Sequence, residues 1–278
     1  MTLSRGYLTL ATGRPAFLEM AVDMVLSLKE HTSLPVGVAC DEGLAEVARD
    51  RYTSVFDRVT TIPERFLGGR TRKFGVAEAS PFEETVFLDA DCIVLESIDE
   101  LFESLDGCDL AFLGSQLTVA EDHNHHGFST RWLMRKFGLA SYLKTNSGVF
   151  CFRREPAVEV MEAFRRCHEE EARPRLRGSI LLGRWLGDEI AIGIVGGRLG
   201  LCSMPFPDTM YWPQDFDTID VDHPTKPLLH FIWPPSPELL ERLLSDMKQR
   251  RADAGVPGSG EEHWRAEARS LEHMKRRR

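Results

Sequence analysis

Apolar and polar positions follow a repeating order along the first sixty residues. GYLTLAT is a short apolar run, and after GRP the apolar residues Phe17, Met20, Ala21, Met24, Val25 and Leu28 recur at spacings of three and four. That spacing lines one face of a helix, with Pro15 suited to its first turn. LPVGVACD reads as a second strand ending in Asp41, EGLAEVARDRY as a short helix and FDRVTTI as a third strand. Strands and helices in this alternation predict parallel strands with crossover helices. GGRTRKFGVAEAS is a glycine turn entering a basic helical segment, and the strand TVFLDAD follows. Ser97 and Glu100 have the spacing of a capping box, which predicts a helix over SIDELFESL. DLAFLG and NSGVFCFRR read as strands, with the polar, irregular QLTVAEDHNHHGFSTRW between them as a flexible loop. PAVEVMEAFRRCHEEEA reads as a helix with Val158, Met161 and Phe164 inward. Beyond residue 205 the proline- and aromatic-rich MPFPDTMYWPQDFD and HPTKPLLHFIWPPSP predict loops and short strands.

Length and composition add boundaries to this picture. A chain of 278 residues, 42% hydrophobic and 28% charged, can bury a sizeable core. The expectation is one domain over residues 1–252, then a linker, DAGVPGSGEE, and a basic C-terminal helix or tail over 253–278. No apolar run is long enough to span a bilayer and the start lacks a signal-peptide pattern, so a cytoplasmic address is expected. A net charge of −9 argues against nucleic acid as a partner. Trp264 and the terminal KRRR allow a weak peripheral contact with the inner membrane face, whereas Glu261, Glu262, Glu267 and Glu272 favour a solvated tail. Six cysteines scattered singly read as buried free thiols.

Asp89 and Asp91 change the picture most. They end an apolar run, where residues two apart on a strand point to one side, and two bare carboxylates there repel. One resolution is a solvated turn. The other is a hard divalent cation, Mn2+ or Mg2+, held by the carboxylates together with substrate phosphates. Ligands of open α/β sheets bind at the carboxyl ends of strands, which favours the cation.

FLDADCIVLESIDELF resembles the D-x-D segment of glycosyltransferase family 8, the glycogenin-like retaining enzymes of GT-A fold. LTLATG with SLKEH resembles the family's opening strand and helix, and Lys73 stands sixteen residues before Asp89 as its lysine does. NSGVFCF is similar to its asparagine motif, Gly187-Asp188-Glu189 to its G-D-Q, and His230-Phe231 to the start of its late histidine motif. The likeness runs in order from about residue 7 to about 233. It implies a Rossmann-like α/β domain with a mixed, mainly parallel central sheet flanked by helices. It also implies transfer of a hexose, glucose or galactose, from a UDP-sugar to an unknown acceptor with retention. On this resemblance Leu10, Thr12, Gly13 and Phe17 lie against the nucleotide base. Arg72 and Lys73, with Arg70, face the donor's phosphates and sugar, and Ala90, Asn146 and Ser147 complete the donor site. Asp89, Asp91 and His230 hold the metal, while Asp188 and Glu189 orient the sugar and stabilise positive charge at its anomeric carbon.

The sequence departs from the family's late motif, where Trp233 replaces a glycine and Ser236 the phosphate-binding lysine. Lys226 and Arg184 are the candidates to supply that cation. Glu189 replaces a glutamine, and Gly193 stands where the family has an asparagine. His123, His125 and His126 read as members of a polar loop, and loops over 114–145 and 205–220 as the acceptor side. Two other readings remain: a nucleotide-sugar- or glycan-binding protein without turnover, and a haloacid-dehalogenase-like phosphatase. Ile93 at the decisive place of the D-x-D-x-T/V motif opposes the phosphatase, and the short LATGRPAF opposes a sugar nucleotidylyltransferase.

Overall fold

The computed structural model describes residues 4–68, 71–181, 186–204 and 208–275. In chain order the elements begin β1 (Arg5–Ala11), α1 (Pro15–Lys29), β2 (Val36–Cys40), α2 (Glu42–Arg51), β3 (Arg58–Thr61), α3 (Val76–Ala79), β4 (Glu84–Leu88) and β5 (Cys92–Val94). Next come β6 (Leu110–Thr118), β7 (Asn124–His125), β8 (Phe128–Ser129), α4 (Thr130–Phe137), β9 (Ser141–Arg153), α5 (Arg154–Arg166), α6 (Arg173–Leu181) and α7 (Asp188–Leu199). β10 (Cys202–Met204), β11 (Leu228–His230), α8 (Pro237–Asp253) and α9 (Glu261–Lys275) complete the chain. The fold is α/β, with a seven-stranded mixed sheet in the order β10-β6-β9-β4-β1-β2-β3 and flanking helices. By chain segment it divides into two compact units, one of Met1–Ser4, Ile62–Val86 and Leu101–Phe206, the other of Arg5–Thr61, Phe87–Glu100 and Pro207–Arg278.

In the second unit β1, β2 and β3 pair in parallel, as the early alternation implies. β2 is buried along its whole length, as expected of a strand covered on both faces. Pro15 opens α1, and the Asp41 carboxylate caps α2 by accepting from the Leu44 N–H at 3.1 Å. The capping box at Ser97 is not realised. Among the described residues Ser97 Oγ accepts from the Asp99 N–H at 3.4 Å, not from Glu100, and Asp99–Leu105 forms a 3-10 helix. The Asp99 carboxylate accepts from Tyr7 Oη at 2.6 Å and Thr32 Oγ1 at 2.8 Å, so tertiary bonds replace the local cap.

In the first unit β6 and β9 run antiparallel, and β10 joins β6 in parallel. The polar stretch read as a flexible loop is instead structured. β6 continues to Thr118, and β7 and β8 form a hairpin. α4 is capped by Ser129 Oγ, which accepts from the Trp132 N–H, and ends at Gly138 in the left-handed region with φ of 65°. Each piece is too short for periodicity to reveal it. Cys108 and Cys202 are joined as a disulfide; the other four cysteines are buried free thiols as expected.

Gly193 packs directly on the Tyr142 ring, so a Cβ there would overlap it. The phenol fills the space into which an asparagine would project. Restoring asparagine in Gly193→Asn is expected to cost at least about 1–3 kcal/mol of overpacking, read as a lowered urea midpoint with unchanged m-value.

The C-terminal segment is not a solvated tail. α9 buries Trp264 completely, and its Nε1–H donates to Asp23 Oδ2 at 2.8 Å. Among the described residues no helix is long and apolar enough to cross a membrane.

Candidate functional site

The chemistry-bearing side chains form one cluster in each unit. In the second, β4 ends at Leu88, and Asp89 to Asp91 form the turn that enters β5. The carboxylates therefore converge through this turn, not through strand alternation. The Cys92 N–H closes it by donating to the Asp89 carbonyl at 3.1 Å. β5 pairs antiparallel with β11, setting His230 opposite Cys92, and the Phe231 N–H donates to the Asp91 carbonyl at 3.0 Å. The imidazole is thereby delivered from a strand far along the chain. His230 Nε2 lies 3.2 Å from Asp91 Oδ1 and 3.9 Å from Asp89 Oδ2, and its side chain is 6% exposed against 23% and 28% for Asp89 and Asp91. Two carboxylates and one imidazole on a half-buried turn suit a hard or borderline divalent cation that keeps open positions for phosphate oxygens.

Glu267 on α9 belongs to the same surroundings and is hidden in the sequence, where it counts towards a solvated tail. Burial raises its carboxyl above the ordinary range, and the nearby Asp91 charge pushes the same way. No spacing links Glu267 to Asp91; only the docking of α9 does. Beyond β1, Thr12 is buried, Leu10 and Phe17 are half-buried, and Gly13 is exposed. The Gly13 N–H donates to Asp41 Oδ2 at 2.5 Å, and Arg14 lies 5.6 Å over the Phe17 ring. Ala90 is buried.

The late-motif departures have local causes. Ser236, at the family lysine's place, caps α8 by accepting from the Leu239 N–H at 3.1 Å. Lys226 is engaged by Asp215 Oδ2 at 2.7 Å and lies 5.8 Å over the Tyr211 ring. Arg70 and Arg184 lie outside the described residues.

In the first unit, Asp188 and Glu189 form the first turn of α7, where acids suit the helix dipole. Lys73 Nζ donates to the Ser147 carbonyl at 3.1 Å and to Ser147 Oγ at 3.0 Å, and stands 3.6 Å from Asp188 Oδ2. Ser147 Oγ donates onward to Asp188 Oδ2 at 2.9 Å, and the Ser147 N–H to Glu189 Oε1 at 2.9 Å. Asn146 is buried and turns inward, its Oδ1 accepting from the Gly148 N–H at 2.8 Å. Arg72 Nε donates to the Leu67 carbonyl at 3.2 Å. The structure thus joins Lys73, Ser147, Asp188 and Glu189 in one network and leaves Arg72 and Asn146 on backbone partners.

The histidines read as loop members enter this network. His126 Nε2 contacts Glu189 Oε2 directly, His125 Nε2 lies 3.6 Å from the same oxygen, and His125 Nδ1 is 2.8 Å from Tyr142 Oη. Burial would raise the Glu189 carboxyl, but the two adjacent imidazoles, His125 and His126, hold it well below the usual range. Burial lowers His125, against the pull of Glu189. A histidine-glycine pair between two short polar runs is the only sequence signal, and it indicates a turn rather than a partner.

No family model matches the chain, and no curated protein does. Among solved structures it is similar to an active-site glutamine-to-glutamate mutant of LgtC, with 15% identity, a TM-score of 0.59, and coverage of 94% of this chain and 99% of that one. It is similar also to the galactosyltransferase LgtC in complex with donor and acceptor sugar analogues, at 14% identity, TM-score 0.55 and the same coverage of 94% and 99%. The glycosyltransferase GlyE of Streptococcus pneumoniae TIGR4 matches at 14% identity and TM-score 0.53 over 92% of this chain and 66% of that one. The chain therefore has the GT-A α/β fold of the family-8-type glycosyltransferases, as the resemblance in its motifs implied.

Proposed function

We propose that this protein is a metal-dependent glycosyltransferase that takes a hexose from a UDP-sugar. The observation that carries the reading is the convergence of Asp89, Asp91 and His230, brought together by the pairing of β5 with β11. These residues would hold Mn2+ or Mg2+, which when bound neutralises the charge gathering on a departing diphosphate. Leu10, Thr12, Gly13 and Phe17 take the nucleotide side, with Ala90 between the two ligand aspartates. Asp188, fixed by Lys73 and Ser147, orients sugar hydroxyls through its carboxylate. Glu189, kept ionised, supplies negative charge to an anomeric centre as it turns positive. Asn146 and Arg72 support that side through the backbone they bind.

The experiment is release of UDP from UDP-glucose and UDP-galactose with Mn2+, in the wild type and in Asp91→Asn. UDP release that is independent of metal, or unchanged in the variant, removes this reading. In Lys73→Met the countercharge of Asp188 is lost, and kcat/KM for the donor is expected to fall by about 100-fold in the same assay.

A second reading has its own observation. Ser236 is committed as the cap of α8 and Lys226 is committed to Asp215, which supports donor binding without turnover. Tight, metal-dependent UDP binding with no release from any UDP-sugar, with or without added glycans, selects it. The acceptor, whether glycan, peptide or small molecule, belongs to the same set of assays.

A further inference from the structure

The hairpin of β7 and β8 has a two-residue turn, His126-Gly127, with φ of 52° and 84°. Hairpins with both turn residues in the left-handed region favour asparagine or glycine at the first position. Histidine there holds a less favoured backbone, and among the described residues His126 is the only non-glycine with positive φ. What the turn gains is the placement of two consecutive imidazoles. Their ring centroids lie 4.7 Å apart, and both Nε2 atoms address Glu189 Oε2.

Two members of the trio are held from behind by their other polar atoms. His125 Nδ1 is bonded to Tyr142 Oη at 2.8 Å, and Glu189 Oε1 accepts the Ser147 N–H at 2.9 Å. Tyr142 is itself fully buried, so the first imidazole is clamped. When Nδ1 carries the proton towards Tyr142, the lone pair of His125 Nε2 faces Glu189 Oε2 at 3.6 Å and the Thr145 carbonyl at 3.3 Å. In that tautomer the crowded lone pairs repel, and a cation lying among them removes the repulsion. Tetrahedral zinc spaces nitrogen and oxygen ligands about 3.3 Å apart. A buried imidazole oriented by a hydrogen bond at its far nitrogen is also the usual state of a metal ligand.

We infer that His125, His126 and Glu189 form a binding site for a zinc-class transition-metal ion, separate in composition from the Asp89, Asp91 and His230 set. Two imidazoles and a carboxylate make a borderline donor set that favours zinc over magnesium or calcium, and three protein ligands leave a fourth position open. The ion replaces the direct His126–Glu189 contact and takes the Glu189 carboxylate out of any other role. Zinc is therefore expected to oppose whatever Glu189 does in the sugar reaction. The site itself does not depend on that reaction.

The test is calorimetric titration of Zn2+ into the metal-stripped full chain carrying Asp91→Asn, which disables the other set, together with Co2+ visible absorption as a report of tetrahedral geometry. One equivalent of Zn2+ with an intense tetrahedral Co2+ spectrum lacking thiolate bands is expected. Adding His126→Asn should weaken the ion by about 100-fold or more, since asparagine keeps the left-handed turn and removes only the ligand. Glu189→Gln, of the same shape, should do likewise. Absence of a stoichiometric site in the Asp91→Asn chain overturns the inference, as does zinc affinity unchanged by both substitutions. Neither outcome touches the glycosyltransferase reading, which is decided by UDP release.

Discussion

On the proposed function Mn2+ should raise the wild type's affinity for UDP, and in Asp91→Asn that gain is expected to vanish. Asparagine keeps the size of the side chain and one carbonyl oxygen but removes a charge, so the proposed metal set of Asp89, Asp91 and His230 would fall from two anionic ligands to one. Loss of the carboxylate that lies 3.2 Å from the His230 imidazole should weaken an ion held by the proposed set by about 2–3 kcal/mol, on the order of 100-fold. UDP-sugar turnover should fall by about 1000-fold, because the charge on the departing diphosphate is no longer balanced. Titration of UDP with and without Mn2+ reads the first effect, and coupled UDP release reads the second. The substitution leaves the bond from the Phe231 N–H to the backbone carbonyl at this position in place, so thermal stability should hardly change. If the variant keeps manganese-dependent UDP binding, the aspartates are turn residues and not ligands.

How much of this is legible in the sequence depends on whether a feature is local. The parallel β1-β2-β3 core, the helix opening at Pro15 and the position of Asp89 and Asp91 at a strand end all rest on neighbours in sequence, and all are readable. Ser97 and Asp99 show how local signals lose. The capping box is a sound local expectation, yet Tyr7 and Thr32 take the Asp99 carboxylate, and a 3-10 helix forms in place of an α-helix. The pairing of His230 with the aspartates comes from the family resemblance. Its physical cause, the β5–β11 ladder between three-residue strands, leaves no periodicity to detect. The histidine hairpin is hidden for the same reason: its arms are two residues long, and the partner Glu189 lies 63 residues onward from His126. Glu267 is hidden more deeply, since its charge is the very feature that makes the C-terminal segment look solvated.

That segment gives the largest expected loss of stability. Asp23 is fully buried on α1, and burial raises its carboxyl despite the guanidinium of Arg251 beside it. Arg251 reaches it from α8 through Nε and also donates to Glu19 Oε2 at 2.9 Å and to the Glu19 carbonyl at 2.8 Å. Trp264 of α9 completes the set through its bond to Asp23 Oδ2, and its ring lies 4.7 Å from that of Phe231. A buried charge satisfied by three helices is costly to disturb, because removing one partner leaves the others in low dielectric. Trp264→Ala is expected to cost about 3–5 kcal/mol, combining a large cavity with an orphaned carboxylate oxygen. Trp264→Phe keeps an aromatic ring and loses the N–H, so about 1–3 kcal/mol is expected, both read by urea unfolding. The two should separate further at the metal. Phe231 follows His230 and its N–H donates to the Asp91 carbonyl, so loss of the neighbouring, tilted indole should loosen that turn and weaken Mn2+ at the proposed set by about 10-fold or more, while the phenylalanine variant binds nearly normally. Should Trp264→Ala lose stability yet bind the ion at full affinity, α9 serves the fold alone, and Glu267 beside Asp91 has no part in the site.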